Sequence, residues 1–422
     1  VLNAIDRFYV KSGVLYSIAI IICAVVLPFI ISNQIPSYLV VLLMLVIGAT
    51  NTLDCFVYSK YRVLLQADQR LFIVSLVDTV AYFFRVAIQV SLIYLQQSIV
   101  IVMGIPALLV IARTIVLAQY CRKHYPSLDS SIKPDKTALS KRWSAMLHQL
   151  AGLVVYNTDV TLLTIFGSLI EVSIYSVYNL VFSHIYNLLT NIFSTGTLAS
   201  FGQVMSEGRK DALLKAYDLY EYVYYFVVSF VYGVSASMIL PFVSVYTKKY
   251  TDIHYVDVRL AILFMVIGFA NNMRVPSGTM INAAGHFKET QWRAILEATI
   301  NLTVSLILVK PLGMFGLLIG TVCSFAYRTT DIIYYSHKHI LNISCKKAVL
   351  RVIRTAFCIM GSILLYRLII DVYEVESWNK WIVYAIIDSC ITAFIVCSVN
   401  FITEPKLFKD CMNMVVKKIR KM

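Results

Sequence analysis

Twelve apolar stretches, all but one long enough to cross the hydrocarbon core of a bilayer, run through this chain and leave little room for any other kind of fold. They fall near 13–32, 37–58, 71–95, 98–120, 146–166, 172–200, 218–245, 259–284, 294–309, 312–336, 349–370 and 380–402. The stretch 294–309 is short and reads as tilted or partly interfacial. None alternates polar with apolar residues, so the pattern predicts helices rather than the strands of an outer-membrane barrel. Composition agrees: 59% of residues are hydrophobic, 14% are charged, and the mean hydropathy is +0.75. A water-soluble domain carries about 25% charged residues. The expected fold class is all-α integral membrane, with about 12 transmembrane helices.

Lysine and arginine outnumber aspartate and glutamate by 37 to 23. In a soluble protein that excess would point to nucleic acid; here its distribution tests topology. If the spans alternate direction, 28 of the 37 basic residues fall on one side, six on the other and three inside spans. Basic residues mark the cytoplasmic side, so both termini are expected there, and no nucleic-acid partner is expected. The opposite connections are short, as at Asn33–Pro36 and Gly167–Glu171, and offer no external catalytic domain. The first apolar run starts near Gly13 and reads as a spanning helix rather than a cleavable signal.

Nine cysteines lie mostly in apolar stretches with no CxxC or Cys/His spacing, so neither a disulfide framework nor a metal site is predicted. No GxxxxGK[ST], GxSxG or HExxH occurs. No catalytic residue and no cofactor is expected, and the driving force would be an ion gradient, the membrane potential or the substrate gradient.

Internal matches run in order at nearly one offset. Leu2–Asp6 matches Leu214–Asp218, Leu27-Pro28-Phe29 matches Leu240-Pro241-Phe242, and Arg113-Thr114 matches Arg328-Thr329. Asp78 and Glu297 fall in equivalent helices. Matched helices run the same way, which predicts two pseudo-symmetric lobes related by an axis along the membrane normal. The expected division is an N-terminal lobe over 1–120, a cytoplasmic linker over 121–145, a C-terminal lobe over 146–340, and a terminal helix pair with a basic tail over 341–422. Helices 146–166 and 172–200 have no counterpart in the first half, which predicts two further helices ahead of residue 1 in the complete design.

Charged groups inside spans are costly and usually face a cavity or a partner. Arg85, Arg113 and Arg274 lie within spans, and Arg328 is equivalent to Arg113. They read either as a cationic cavity for an anionic head group, since arginine's fork suits phosphate, or, for Arg113 and Arg328, as snorkelling side chains. Asp159, Asp78 and Glu297 are candidates for ion coupling or for structural ion pairs, and Asp388 is a further intramembrane acid. The tyrosine-rich run 217–225 reads as an interfacial belt.

Tyr156-Asn157-Thr158-Asp159-Val160, followed by Val172-Ser173-Ile174-Tyr175-Ser176-Val177-Tyr178-Asn179, resembles the central hairpin of polysaccharide-unit (O-antigen) flippases of the multidrug/oligosaccharidyl-lipid/polysaccharide exporter superfamily. Leu65–Arg70 and Glu297–Leu302, the latter with Val309–Gly313 and Gly316…Gly320-Thr321, are similar to other recurring patterns of that family. The resemblance implies two six-helix lobes forming a V, a multi-pass protein of the bacterial cytoplasmic membrane, and alternating-access transfer of an undecaprenyl-pyrophosphate-linked oligosaccharide for cell-surface polysaccharide or capsule. Other polysaccharide-assembly membrane proteins are candidate partners. Motif matching carries over Asn157 and Asp159 alone; the arginines follow from their depth in the spans. The alternatives are an ion-coupled multidrug exporter of the same superfamily and a membrane-embedded glycan polymerase or glycosyltransferase.

Overall fold

A computed structural model describes residues 2–31, 36–126, 142–250, 252–370, 375 and 377–419. Every regular element among them is helical. The chain divides into two compact units, Val1–Ser140 and Lys141–Met422.

The first unit holds α1 (Leu2–Ile31), α2 (Ser37–Leu53), α3 (Ser59–Ala67), α4 (Leu71–Tyr94) and α5 (Ile99–His124). α2 passes into α3 through a π-helical turn, Asp54–Tyr58, so the two form one bent rod. The second unit holds α6 (Arg142–Phe166), α7 (Leu169–Ser206), α8 (Lys210–Tyr246), α9 (Val258–Met273), α10 (Val275–Ala284), α11 (Phe287–Leu312), α12 (Met314–Tyr335), α13 (Lys346–Ile369), α14 (Trp378–Thr403) and α15 (Pro405–Ile419). α9 and α10 form a second interrupted rod. Its break falls where Pro276 has no N–H to offer the carbonyl of Asn272.

Counting each interrupted rod once, a helix stands at each of the twelve expected crossings. Ten are long and apolar enough to span a membrane by length and composition. Among the described residues α7 and α12 fall short of that hydropathy; α12 carries Arg328 and Asp331 on its last turns. The short stretch 294–309 lies inside the 26-residue α11, whose first turns are polar (Lys288, Glu289, Arg293). Apolar side chains face outward, as a lipid solvent requires: only 6% of the most apolar window of α4 is buried.

The tyrosine run departs from its expected place. Tyr217, Tyr220, Tyr222, Tyr224 and Tyr225 are buried in the second unit rather than arrayed as a belt. α8 starts at Lys210, so these rings stand two turns or more inside the helix. Four of their hydroxyls, all but that of Tyr222, serve the broken rod. Tyr225 donates to the carbonyl of Met273 at 2.7 Å, Tyr224 to Asn272 Oδ1 at 2.8 Å, and Tyr217 and Tyr220 meet Ser277 and Thr279 at 3.0 and 3.2 Å. A break inside an apolar bundle exposes polar backbone that must find partners, and α8 supplies them.

Candidate functional site

The break between α9 and α10 places Arg274 in the interior of the second unit, 9% exposed. Its guanidinium donates to Glu297 of α11 at 2.5 Å, to Asn271 Oδ1 at 2.6 Å and to the Tyr156 hydroxyl of α6 at 2.7 Å, and lies 4.5 Å over the Phe325 ring. Glu297 also takes Arg328 of α12 at 3.3 Å, and Arg328 holds Asp331 at 2.9 Å. Asp331 in turn binds Arg293. Three guanidiniums against two carboxylates leave this buried chain with one formal positive charge. Arg274 and Arg328 line a cavity of 220 Å³ with Thr190, Ser194 and Asn282.

The first unit repeats the theme with the signs exchanged. Arg113 of α5 lies between Asp54, at 2.5 Å in the π turn, and Asp78 of α4, at 3.2 Å. It stacks 4.3 Å over Tyr58, whose hydroxyl donates to Asp78 at 2.5 Å. One guanidinium against two carboxylates makes this cluster formally negative. Beside it, a 380 Å³ cavity is lined by Arg113, Asp78, Tyr82 and Arg85. Arg85 is exposed and has no ion-pair partner among the described residues.

Asp159 of α6 is 2% exposed and stands apart from the arginines. Its Oδ2 accepts from Thr321 of α12 at 2.8 Å and from Tyr175 of α7 at 3.3 Å. Thr321 also accepts from Asn301 Nδ2 of α11 at 3.0 Å. Asp159 Oδ1 and Asn301 Oδ1 have no hydrogen-bond partner. Close helix packing makes this possible: a Cβ on Gly320 would lie 2.8 Å from the backbone nitrogen of Ser305. Only a glycine lets α12 approach α11 so nearly. Asp159 also borders a 310 Å³ cavity walled by Tyr156, Tyr175, Phe182, Phe264 and Phe325. Among the described residues no three His, Cys, Asp or Glu side chains converge on one point. The oxygens around Asp159 are of the kind that suit a proton or an alkali cation.

Asn157 is brought to none of these places. It is exposed, and its amide donates back to the Leu153 carbonyl at 2.9 Å. Conversely, Asp54, Asp331, Arg293, Asn301 and Thr321 were not predicted as site residues. Helical spacing was the available signal: Asn301 follows Glu297 by four, Arg328 follows Thr321 by seven, and Asp331 follows Arg328 by three, all on shared faces.

The fold and the ten apolar helices define an all-α, multi-pass membrane protein. Neither a family profile nor any curated protein matches this sequence. Among solved structures, the chain is similar to the lipid II flippase MurJ in its inward closed conformation. The TM-score is 0.56 at 11% identity, over 94% of this chain and 84% of that one. At that identity the likeness is one of fold.

Proposed function

We propose that this chain is a flippase that moves an undecaprenyl-pyrophosphate-linked oligosaccharide repeat unit across the bacterial cytoplasmic membrane by alternating access, for cell-surface polysaccharide such as O-antigen or capsule. Arg85 carries the reading. An arginine without a carboxylate partner lines a cavity beside the compensated Arg113, in a chain that shares its fold with a lipid II flippase. A diphosphate offers Arg85 a partner it lacks among the described residues, an anion with oxygens spaced for guanidinium forks. Arg274 and Arg328 line the cavity of the second unit in a chain of one excess positive charge, which by itself suits an anion. Asp159, with its unpartnered Oδ1 beside Thr321 and Asn301, is the coupling residue and takes up a proton or monovalent cation. Moving one such charge through 100 mV supplies about 2.3 kcal/mol.

The aromatic cavity beside Asp159 favours a second reading, an ion-coupled exporter of amphipathic cations, because a buried carboxylate ringed by aromatic faces suits such a ligand. Complementation separates the two. In a mutant blocked in repeat-unit translocation, lipid-linked oligosaccharide accumulates on the inner leaflet. Relief on expressing this chain supports the flippase, and Asp159→Asn should abolish that relief while protein remains in the membrane. Absence of relief together with gained resistance to cationic drugs would favour the exporter.

A further inference from the structure

α14 presents its apolar residues outward and its polar ones inward. Ile386 and Phe394 are 60% and 69% exposed, while Asp388, Thr392, Val396 and Asn400, spaced by four, are at most 1% exposed. That stripe packs on α8 and α13. Arg351 of α13 reaches both Glu221 near the start of α8 and Glu404 past the end of α14. Trp381 near the start of α14 reaches Met238 near the end of α8. α8 and α13 therefore run together and α14 runs against them. Asp388 lies level with Ser237 and Tyr366, and one turn away Thr392 lies level with Gly233 and Ser362. The fit is close: a Cβ on Gly233 would stand 2.6 Å from Thr392 Cγ2 and 3.2 Å from Ser362 Oγ.

Around Asp388 and Thr392 five oxygens have no hydrogen-bond partner among the described residues: Oδ1 and Oδ2 of Asp388, Oγ of Ser237, the hydroxyl of Tyr366 and Oγ1 of Thr392. Ser237 stands close enough to the carboxylate to act on it as a hydrogen-bonding neighbour, though outside strict hydrogen-bond geometry. Among the described residues no basic side chain forms an ion pair with it. Arg351 and Arg354 are engaged with Glu404 at the far end of α13, and Arg367 is exposed. A carboxylate buried this way needs either a proton or a positive partner. We propose that Asp388, Ser237, Tyr366 and Thr392 form a site for a monovalent alkali cation of sodium's size, held between α8, α13 and α14. One carboxylate balances one positive charge, and three neutral hydroxyls add hard oxygen ligands in place of water. A divalent cation would call for more carboxylates. The site shares no residue with the Asp159 group between α6, α11 and α12.

The test measures thermal unfolding of the full chain in lipid nanodiscs as sodium replaces choline at constant ionic strength. A cation that binds only the folded state raises stability as RT ln(1 + [L]/Kd). In an Asp159→Asn background sodium should still stabilise, and adding Asp388→Asn should remove the response. Thr392→Val, which keeps the carboxylate, should weaken the apparent sodium affinity about tenfold, and it decides the matter if Asp388→Asn does not fold. A sodium response in the Asp159→Asn background that is absent, or unchanged by both variants, overturns the proposal. So does a response to pH alone, since a proton on Asp388 would then be the sole occupant. Transport is not measured, so this result stands or falls apart from the flippase reading.

Discussion

The Nε of Arg328 lies 3.3 Å from Oε2 of Glu297, and the repeat-related residues of the first unit, Arg113 and Asp78, close the same pair at 3.2 Å. Glu297 differs in serving two arginines, because Arg274 holds its other oxygen at 2.5 Å. Glu297→Ala would leave two buried guanidiniums facing each other, at a cost of about 3–5 kcal/mol. The double variant Glu297→Ala, Arg328→Met should lose less than the sum of the singles, with a coupling of about 0.5–3 kcal/mol. Thermal unfolding in detergent gives all three values, and simple additivity would remove the ion-pair account.

Two glycines offer a matched comparison. Gly320→Ala sets a methyl 2.8 Å from the backbone nitrogen of Ser305 and 3.1 Å from the carbonyl of Asn301, neither of which can turn aside. It should cost about 1–3 kcal/mol and loosen the Thr321–Asp159 bond. Gly361→Ala meets Ile395 at an ordinary 3.7 Å and should instead be neutral or gain up to about 1 kcal/mol through helix propensity. Equal effects in a thermal-shift series would contradict the close α11–α12 packing.

Tyr224→Phe removes the hydroxyl that donates to Asn272 Oδ1 at 2.8 Å while keeping the ring. The stranded amide oxygen beside the α9–α10 break should cost about 1–3 kcal/mol. Tyr246→Phe, at an exposed position near the end of α8, should change stability by less than about 0.5 kcal/mol. Amide exchange should quicken at Asn271–Ser277 in the first variant alone. Unchanged exchange there would mean that α8 does not support the break.

Arg85 and Arg113 should behave oppositely despite sharing a cavity. Arg85→Ala breaks no ion pair, so membrane abundance and melting should be unchanged while translocation is lost. Arg113→Ala strands Asp54 and Asp78 and should lower stability by about 3 kcal/mol or more. Complementation beside quantitative immunoblotting checks both. Retained translocation in Arg85→Ala would remove it as the anion contact.

The pairing of Asp78 with Arg113 and of Glu297 with Arg328 was foreshadowed by their matched offsets in sequence. The third partner was not. Arg113 finds Asp54 across 59 residues and Asp159 finds Thr321 across 162, and no local spacing reports such meetings. Tyr224 and Tyr246 are alike as residues, and only the packing around the broken rod separates a buried hydroxyl from an exposed one.

The helical class and ten of the twelve expected spans were legible in sequence alone. A bilayer admits only spans of about 20 apolar residues with their own hydrogen bonds satisfied, and that demand is written locally in the chain. Tertiary structure alone decided which charges within the spans are compensated among the described residues. Arg113 and Arg274 are paired, Arg85 is not, and both oxygens of Asp388 stand without a partner, because compensation depends on where distant helices bring their polar faces together.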